Sequence, residues 1–210
     1  MYSERLLYGG AITCDIPSTW RDVSDVRQVP DHQECWQEIG DDGALLVVEI
    51  LNRQPISDEE AANFFFHDLA EANGIDVPES SGTKATVATI PTSSCHFQVQ
   101  ALVDKGNMAV APGVSVATPC SGIGIQRIAI GKDTDIAGNP RKQEIKLTRV
   151  ELCALRLSEV RTDILVTVSK PIDKSNSNEP IEAINVKSFS DAFCRCIASI
   201  TIKDWSLFGG

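Results

Sequence analysis

His96-Phe-Gln-Val-Gln-Ala-Leu-Val-Asp104 alternates apolar and polar side chains: Phe97, Val99, Ala101 and Val103 share one face, and Gln98, Gln100 and Asp104 share the other. A period of two is the signature of a half-buried strand. The same reading extends outward to Leu45–Leu51, Lys84–Ile90, Lys146–Leu157 and Thr162–Ser169, with Glu34–Ile39 as a shorter strand. Gly122–Lys132 alternates at Ile123 and Ile125 and then changes phase to Ile128 and Ile130, which predicts a bulge. Two segments carry a helical period instead. Ser57-Asp-Glu-Glu60 is a capping box, in which the Ser hydroxyl caps the N3 amide and Glu60 reaches back. Ala61, Phe65, Leu69 and Ala72 then predict one apolar helix face that stops at Asn73-Gly74. Near the end Val186, Phe189, Phe193, Cys196 or Ile197, and Ile200 form a second stripe. Strands in series with one early and one late helix predict an α+β fold, a mostly antiparallel sheet covered by helices.

The remaining composition sets bounds. The 210 residues match one domain, residues 1–210, with Asp104–Gly122 as an inserted loop poor in charge and interrupted by Gly106, Pro112, Gly113, Pro119 and Gly122. The longest apolar run, Ala44–Val48, is too short to cross a bilayer as a helix. The opening Met-Tyr-Ser-Glu-Arg reads as neither a secretory signal nor a transit peptide. The net charge is −10, so a nucleic-acid partner is not expected. Charge is also unevenly spread. Asp22–Glu79 holds 15 acids and two strong bases, a local sum of −13. Such a lobe either steers a basic partner or keeps the surface soluble. Seven cysteines at irregular spacing, without a CxxC, argue for a reducing compartment and against a disulfide framework. With three histidines, no metal site is expected.

Few motifs suggest chemistry. Gly122-Ile-Gly124 lacks the third glycine of a phosphate cradle and lies inside a strand reading. Gly113-Val-Ser115 begins like a nucleophile elbow, but Ala117 replaces its last glycine. His67 and Asp68 are adjacent on a helix and point about 100° apart. Asp22-Val-Ser-Asp-Val-Arg-Gln-Val-Pro-Asp-His-Gln-Glu34 carries more weight. It combines four carboxylates with turn chemistry at Pro30-Asp31, and Asp31 and Glu34 can face one side of a turn. Paired carboxylates can act as acid and base. Equally, the segment can be a solvated acidic loop in which Asp25 or Asp31 caps a turn.

Leu7-Tyr-Gly-Gly-Ala-Ile12, Asp22-Val-Ser-Asp-Val-Arg27 and Val29-Pro-Asp-His-Gln-Glu34 resemble the opening signature of the Ran guanine-nucleotide release factors, the Mog-one family of nuclear-import proteins. Phe66-His-Asp-Leu69, Glu71-Ala-Asn-Gly74, Leu152-Cys-Ala-Leu-Arg-Leu157, Thr162-Asp-Ile-Leu165 and Asp204-Trp-Ser-Leu-Phe-Gly209 follow in the family's order. The resemblance implies a PsbP-like α/β/α sandwich, an antiparallel sheet of about six strands with helices on both faces. It also implies a protein that binds the small GTPase Ran and promotes release of its nucleotide in nuclear protein import, acting in nucleus and cytoplasm. Such a protein is a regulator with no bond-breaking chemistry, no cofactor and no small-molecule substrate. The family's functional acids fall on Asp31 and Glu34, with Asp25, Arg27, Pro30 and Gln33 shaping the same Ran-binding surface. The Asp104–Gly122 insertion departs from the family pattern. Two rival readings remain: a passive Ran-binding or chaperone-like adaptor that captures empty Ran without accelerating release, and a small-molecule enzyme using the Asp31/Glu34 loop. The second of these requires a deep, mostly apolar pocket beneath that loop.

Overall fold

The computed structural model describes residues 1–40, 43–73, 95–99, 118–130, 144–172 and 188–209. Within them lie strands β1 (Tyr2–Leu7), β2 (Ile12–Pro17), β3 (Arg21–Asp22), β4 (Gln33–Gln37), β5 (Leu45–Asn52), β6 (Cys95–Val99), β7 (Thr118–Ile130), β8 (Glu144–Leu157), β9 (Thr162–Pro171) and β10 (Thr201–Ile202), with helices α1 (Asp58–Ala72) and α2 (Asp191–Ser199). Seven strands form one sheet in the order β3-β4-β5-β9-β8-β7-β6, and β1, β2 and β10 form a smaller one. Every pairing is antiparallel.

The helices cover opposite faces of the large sheet, as the alternation in its middle strands shows. Val150, Leu152 and Ala154 of β8 and Leu165 of β9 pack with Ala61, Ala62, Phe65, Phe66 and Ala70 of α1. The intervening residues Cys153, Leu155, Leu157, Ile164, Val166 and Val168 pack with Phe193, Cys196 and Ile197 of α2. Because successive strand side chains point to opposite faces, one strand pair serves both layers. The small sheet shares the second layer through Leu7, Ile12, Cys14 and Ile16. Arg5 of β1 lies 4.9 Å over the Trp36 ring of β4, tying the two sheets together.

The capping box forms: Ser57 Oγ accepts from the Glu60 amide at 3.3 Å, and Glu60 Oε2 accepts from the Ser57 amide. The start of α1 is further fixed by a buried ion pair. Arg156 Nε reaches Asp163 Oδ1 at 3.2 Å, both side chains being fully buried. The other guanidinium nitrogens donate to the carbonyls of Gln54, Ile56 and Ser57, while Asp163 Oδ2 accepts from the Gln54 amide. Each polar group of this pair is matched, as a buried charge requires.

Several expectations change. Among the described residues the large sheet has seven strands, in keeping with the expected six or so, and a separate three-stranded sheet that was not expected accompanies it. The helix face of α1 is Ala61, Ala62, Phe65, Phe66 and Ala70; Leu69 is only partly buried and Ala72 is exposed. No bulge interrupts β7, whose register with β8 runs unbroken from Thr118↔Arg156 to Ile130↔Glu144. Residues 120–126 are buried on both faces, so alternation is not enforced there. The expected loop at 104–122 ends in strand, since 118–122 belong to β7; residues 104–117 lie outside the described residues, as does Lys84–Ile90. Gly122-Ile-Gly124 is interior strand, paired to β6 and β8.

Candidate functional site

β3 and β4 pair only at Arg21↔Gln37 and Asp22↔Trp36, so residues 23–32 form the connection between them. Local hydrogen bonds give this connection a defined shape. Asp22 Oδ1 accepts from both the amide and the hydroxyl of Ser24, at 2.8 and 2.6 Å, an Asx turn. Asp22, and neither Asp25 nor Asp31, is therefore the acid that caps this turn. Val23 is buried and donates its amide to the Cys35 carbonyl, and its own carbonyl accepts from the amides of Val26 and Arg27, each at 3.0 Å. The Gln33 amide closes the far end on the Pro30 carbonyl at 2.9 Å. Asp25, Arg27, Pro30 and Asp31 all lie exposed on this connection. Among the described residues Asp25, Arg27 and Asp31 make no ion pair.

Glu34 stands apart from them. It is the second residue of β4 and is half-buried, and its Oε1 accepts the backbone N–H of Tyr8 at 2.6 Å. Tyr8 in turn donates its phenol hydroxyl to the carbonyls of Val48 and His32, at 2.8 and 3.1 Å. One residue thus reaches the carboxylate of Glu34, the carbonyl beside Asp31 and the neighbouring strand. It does so from a left-handed turn, with φ of 52° at Tyr8 followed by 65° and 96° at Gly9 and Gly10. Glycine adopts such angles freely, whereas tyrosine does so under strain. The Leu7-Tyr-Gly-Gly motif therefore builds the support of the site.

The electrostatics follow from this burial. Desolvation raises the Glu34 carboxyl above the ordinary glutamate range, the Tyr8 amide opposes that rise, and Asp22 adds to it. Burial and the neighbouring Glu34 also hold the Tyr8 phenol far above its usual range, so it remains a donor.

The six expected site residues do not form one patch. Gln33 and Glu34 are consecutive in β4 and so point to opposite faces of the sheet. Gln33 Nε2 donates to Glu49 Oε1 at 2.9 Å, and His32 Nε2 lies 3.2 Å from the same oxygen. Glu34 shares its face with Trp36 and Val48, beneath Tyr8. Asp25, Arg27, Pro30 and Asp31 lie exposed on the connection that leads into β4. Sequence reasoning placed Tyr8 in a motif and missed its role; the available signal was a bulky residue directly before two glycines.

Other chemistry finds little support in the geometry. A cleft of about 170 Å³, small for a ligand site, is lined by Trp20, Glu38, Arg149, Glu151, Lys170 and Ser190 among others, and none of Asp31, His32 or Glu34 borders it. His67 Nδ1 is engaged with the Asn63 carbonyl at 2.8 Å, not with Asp68. Among the described residues five cysteines are buried, and burial pushes the Cys120 thiol up to about 11, away from thiolate reactivity. Among the described residues no group of three or more His, Cys, Asp or Glu side chains is placed to hold a metal ion, and no helix is long and apolar enough to cross a membrane.

Comparison with known proteins points in one direction. Residues 5–171 match the family model described as Ran-interacting Mog1 protein. The chain is 29% identical to the Ran guanine nucleotide release factor of Bos taurus over 205 residues, covering 97% of this chain and 95% of that one. A 79-residue stretch, 32% of this chain and 36% of the relative, is 39% identical to the nuclear import protein MOG1 of Saccharomyces cerevisiae. The crystal structure of the Saccharomyces cerevisiae Ran-binding protein Mog1p shares the fold, with a TM-score of 0.65 at 21% identity, covering 100% of this chain and 99% of that one.

Proposed function

Because the chain belongs to the Ran-interacting Mog1 family, we propose that it binds the small GTPase Ran and promotes release of Ran's nucleotide, in support of nuclear protein import. It works between nucleus and cytoplasm as a regulator and breaks no bond itself. The observation that carries this reading is the acidic β3–β4 connection: Asp25 and Asp31 are exposed and make no ion pair among the described residues, and Glu34, at the start of β4 where the connection ends, is held by the Tyr8 amide.

The chemistry suits the task. A small GTPase holds its nucleotide through backbone amides, a lysine and Mg²⁺ around the phosphates. Carboxylates presented by a partner compete with phosphate for those positive groups. Asp31 is free in solvent and needs little desolvation before it meets such a group. Glu34 is already partly desolvated and oriented, so less conformational freedom is lost on binding. Whatever affinity nucleotide loses on formation of the ternary complex, this protein loses equally when nucleotide binds, because the coupling is reciprocal.

The test is release of labelled nucleotide from purified Ran at rising concentrations of this protein. Acceleration beyond the intrinsic rate is expected, along with strong impairment in the Asp31→Ala, Glu34→Gln variant. Capture of empty Ran at the intrinsic rate would instead establish a passive adaptor.

A further inference from the structure

Val26 stands on the β3–β4 connection, between the charged Asp25 and Arg27, with 65% of its surface exposed. Its backbone is well fixed. The Val26 and Arg27 amides both bond to the Val23 carbonyl, the buried Val23 is anchored to Cys35, and Asp22 caps Ser24. The turn therefore holds an apolar side chain outward on an otherwise charged and polar loop.

On the reading that this loop is the Ran-binding surface, we infer that Val26 is its apolar anchor, seated in an apolar depression on Ran while Asp25, Arg27 and Asp31 form the polar rim. Interfaces with this anatomy draw affinity from a desolvated centre and register from the charges around it. Valine suits the centre because its branched side chain has few rotamers to lose. The fixed turn likewise leaves little backbone freedom to surrender on docking. The two kinds of contact act on different rates: rim carboxylates govern encounter, and the buried apolar side chain governs dissociation.

The experiment measures association and dissociation of Ran for the full chain and for three variants, Val26→Asp, Val26→Leu and Asp31→Asn, with unfolding midpoints recorded alongside. Val26→Asp makes the loop more acidic, so steering toward a basic partner is undiminished and any loss arises at the centre of the contact, where the apolar group is gone and a carboxylate would have to be desolvated. The expected result is a loss of affinity of about tenfold or more, the scale of one buried valine, carried by faster dissociation with an unchanged unfolding midpoint. Val26→Leu should restore binding to within a few-fold of the parent. If Val26→Asp binds Ran like the parent while Asp31→Asn is weakened, the anchor is refuted and the Ran reading stands. If the parent chain fails to bind Ran, the Ran reading falls and the anchor with it.

Discussion

Glu34 has two separable duties, and two substitutions divide them. As an acceptor it satisfies the Tyr8 amide at 2.6 Å; as a charge it faces the proposed partner. Glu34→Ala removes both. A hydrogen bond to a charged group contributes about 1.5–3 kcal/mol, and the half-buried setting lets water recover part of it, so a destabilisation of about 1–2 kcal/mol is expected. Glu34→Gln keeps an acceptor for the amide. Its neutral bond is weaker, at about half the strength. Against that, it relieves the carboxylate of the desolvation and the Asp22 repulsion that raise its protonation range. These terms offset, and stability should stay within about 0.5 kcal/mol of the parent. Urea unfolding reads the difference: the Ala midpoint should fall by about 0.5–1 M with unchanged slope, and the Gln midpoint should hold. Ran-stimulated nucleotide release should drop at least tenfold in both variants, the scale of a charge-assisted interface contact. Gln retaining full release would refute a role for the charge. Ala with an unshifted midpoint would refute the tie to Tyr8.

Further expectations concern pH, the buried pair and the acidic lobe. Since the folded protein holds the Glu34 proton more tightly than the unfolded chain does, this group's contribution to stability is present below the ordinary glutamate range and is lost as pH rises through its raised folded value. Denaturation of the parent and Glu34→Gln between about pH 4 and 7 should show that slope only in the parent. Ran binding should weaken on acidification from a higher pH than an ordinary glutamate would give. Asp163→Asn strands a fully buried Arg156 and should cost about 3–5 kcal/mol in chemical denaturation, whereas Asp58→Asn, whose partially exposed carboxylate also touches Arg156, should cost much less. Association with Ran measured by stopped flow should slow markedly as salt rises, because residues 22–79 carry a local charge of −13; a flat salt dependence would make the lobe a solubility feature.

Where sequence and structure agree, the controlling interactions are local. The capping box at Ser57 and Glu60 spans one helical turn, and the strands at Leu45, Lys146 and Thr162 announce themselves by alternation. Turn chemistry and carboxylates singled out the segment around Asp31 while leaving a solvated loop as an open reading, and Asp31 lies exposed on the β3–β4 connection. Where reading and structure part, burial on two faces or distance along the chain is responsible. β1 and β2 escaped notice because β1 alternates Ser3, Arg5 and Leu7 against Tyr2, Glu4 and Leu6, so that neither face is plainly apolar. The separate small sheet went unread for that reason, and β3, at two residues, is too short to show any period. The support of Glu34 lies 26 positions away in Tyr8, and no periodicity reaches that far.

The Tyr8 turn follows β1 and precedes β2, in a sheet separate from the one that carries Glu34. In mechanical terms the β3–β4 hairpin is a cantilever: among the described residues it is laddered to the rest of the large sheet through β5, with Lys170 of β9 holding Glu38 at its end, and the other sheet braces it with a strut at Tyr8, which meets the Glu34 carboxylate and the His32 carbonyl, and with Arg5 over the Trp36 ring. A beam braced in this way cannot swing by itself. Any displacement of the acidic tip must either break the strut or carry the β1–β2 ribbon with it, so the stiffness of the working end is set by the seating of the chain's first seventeen residues.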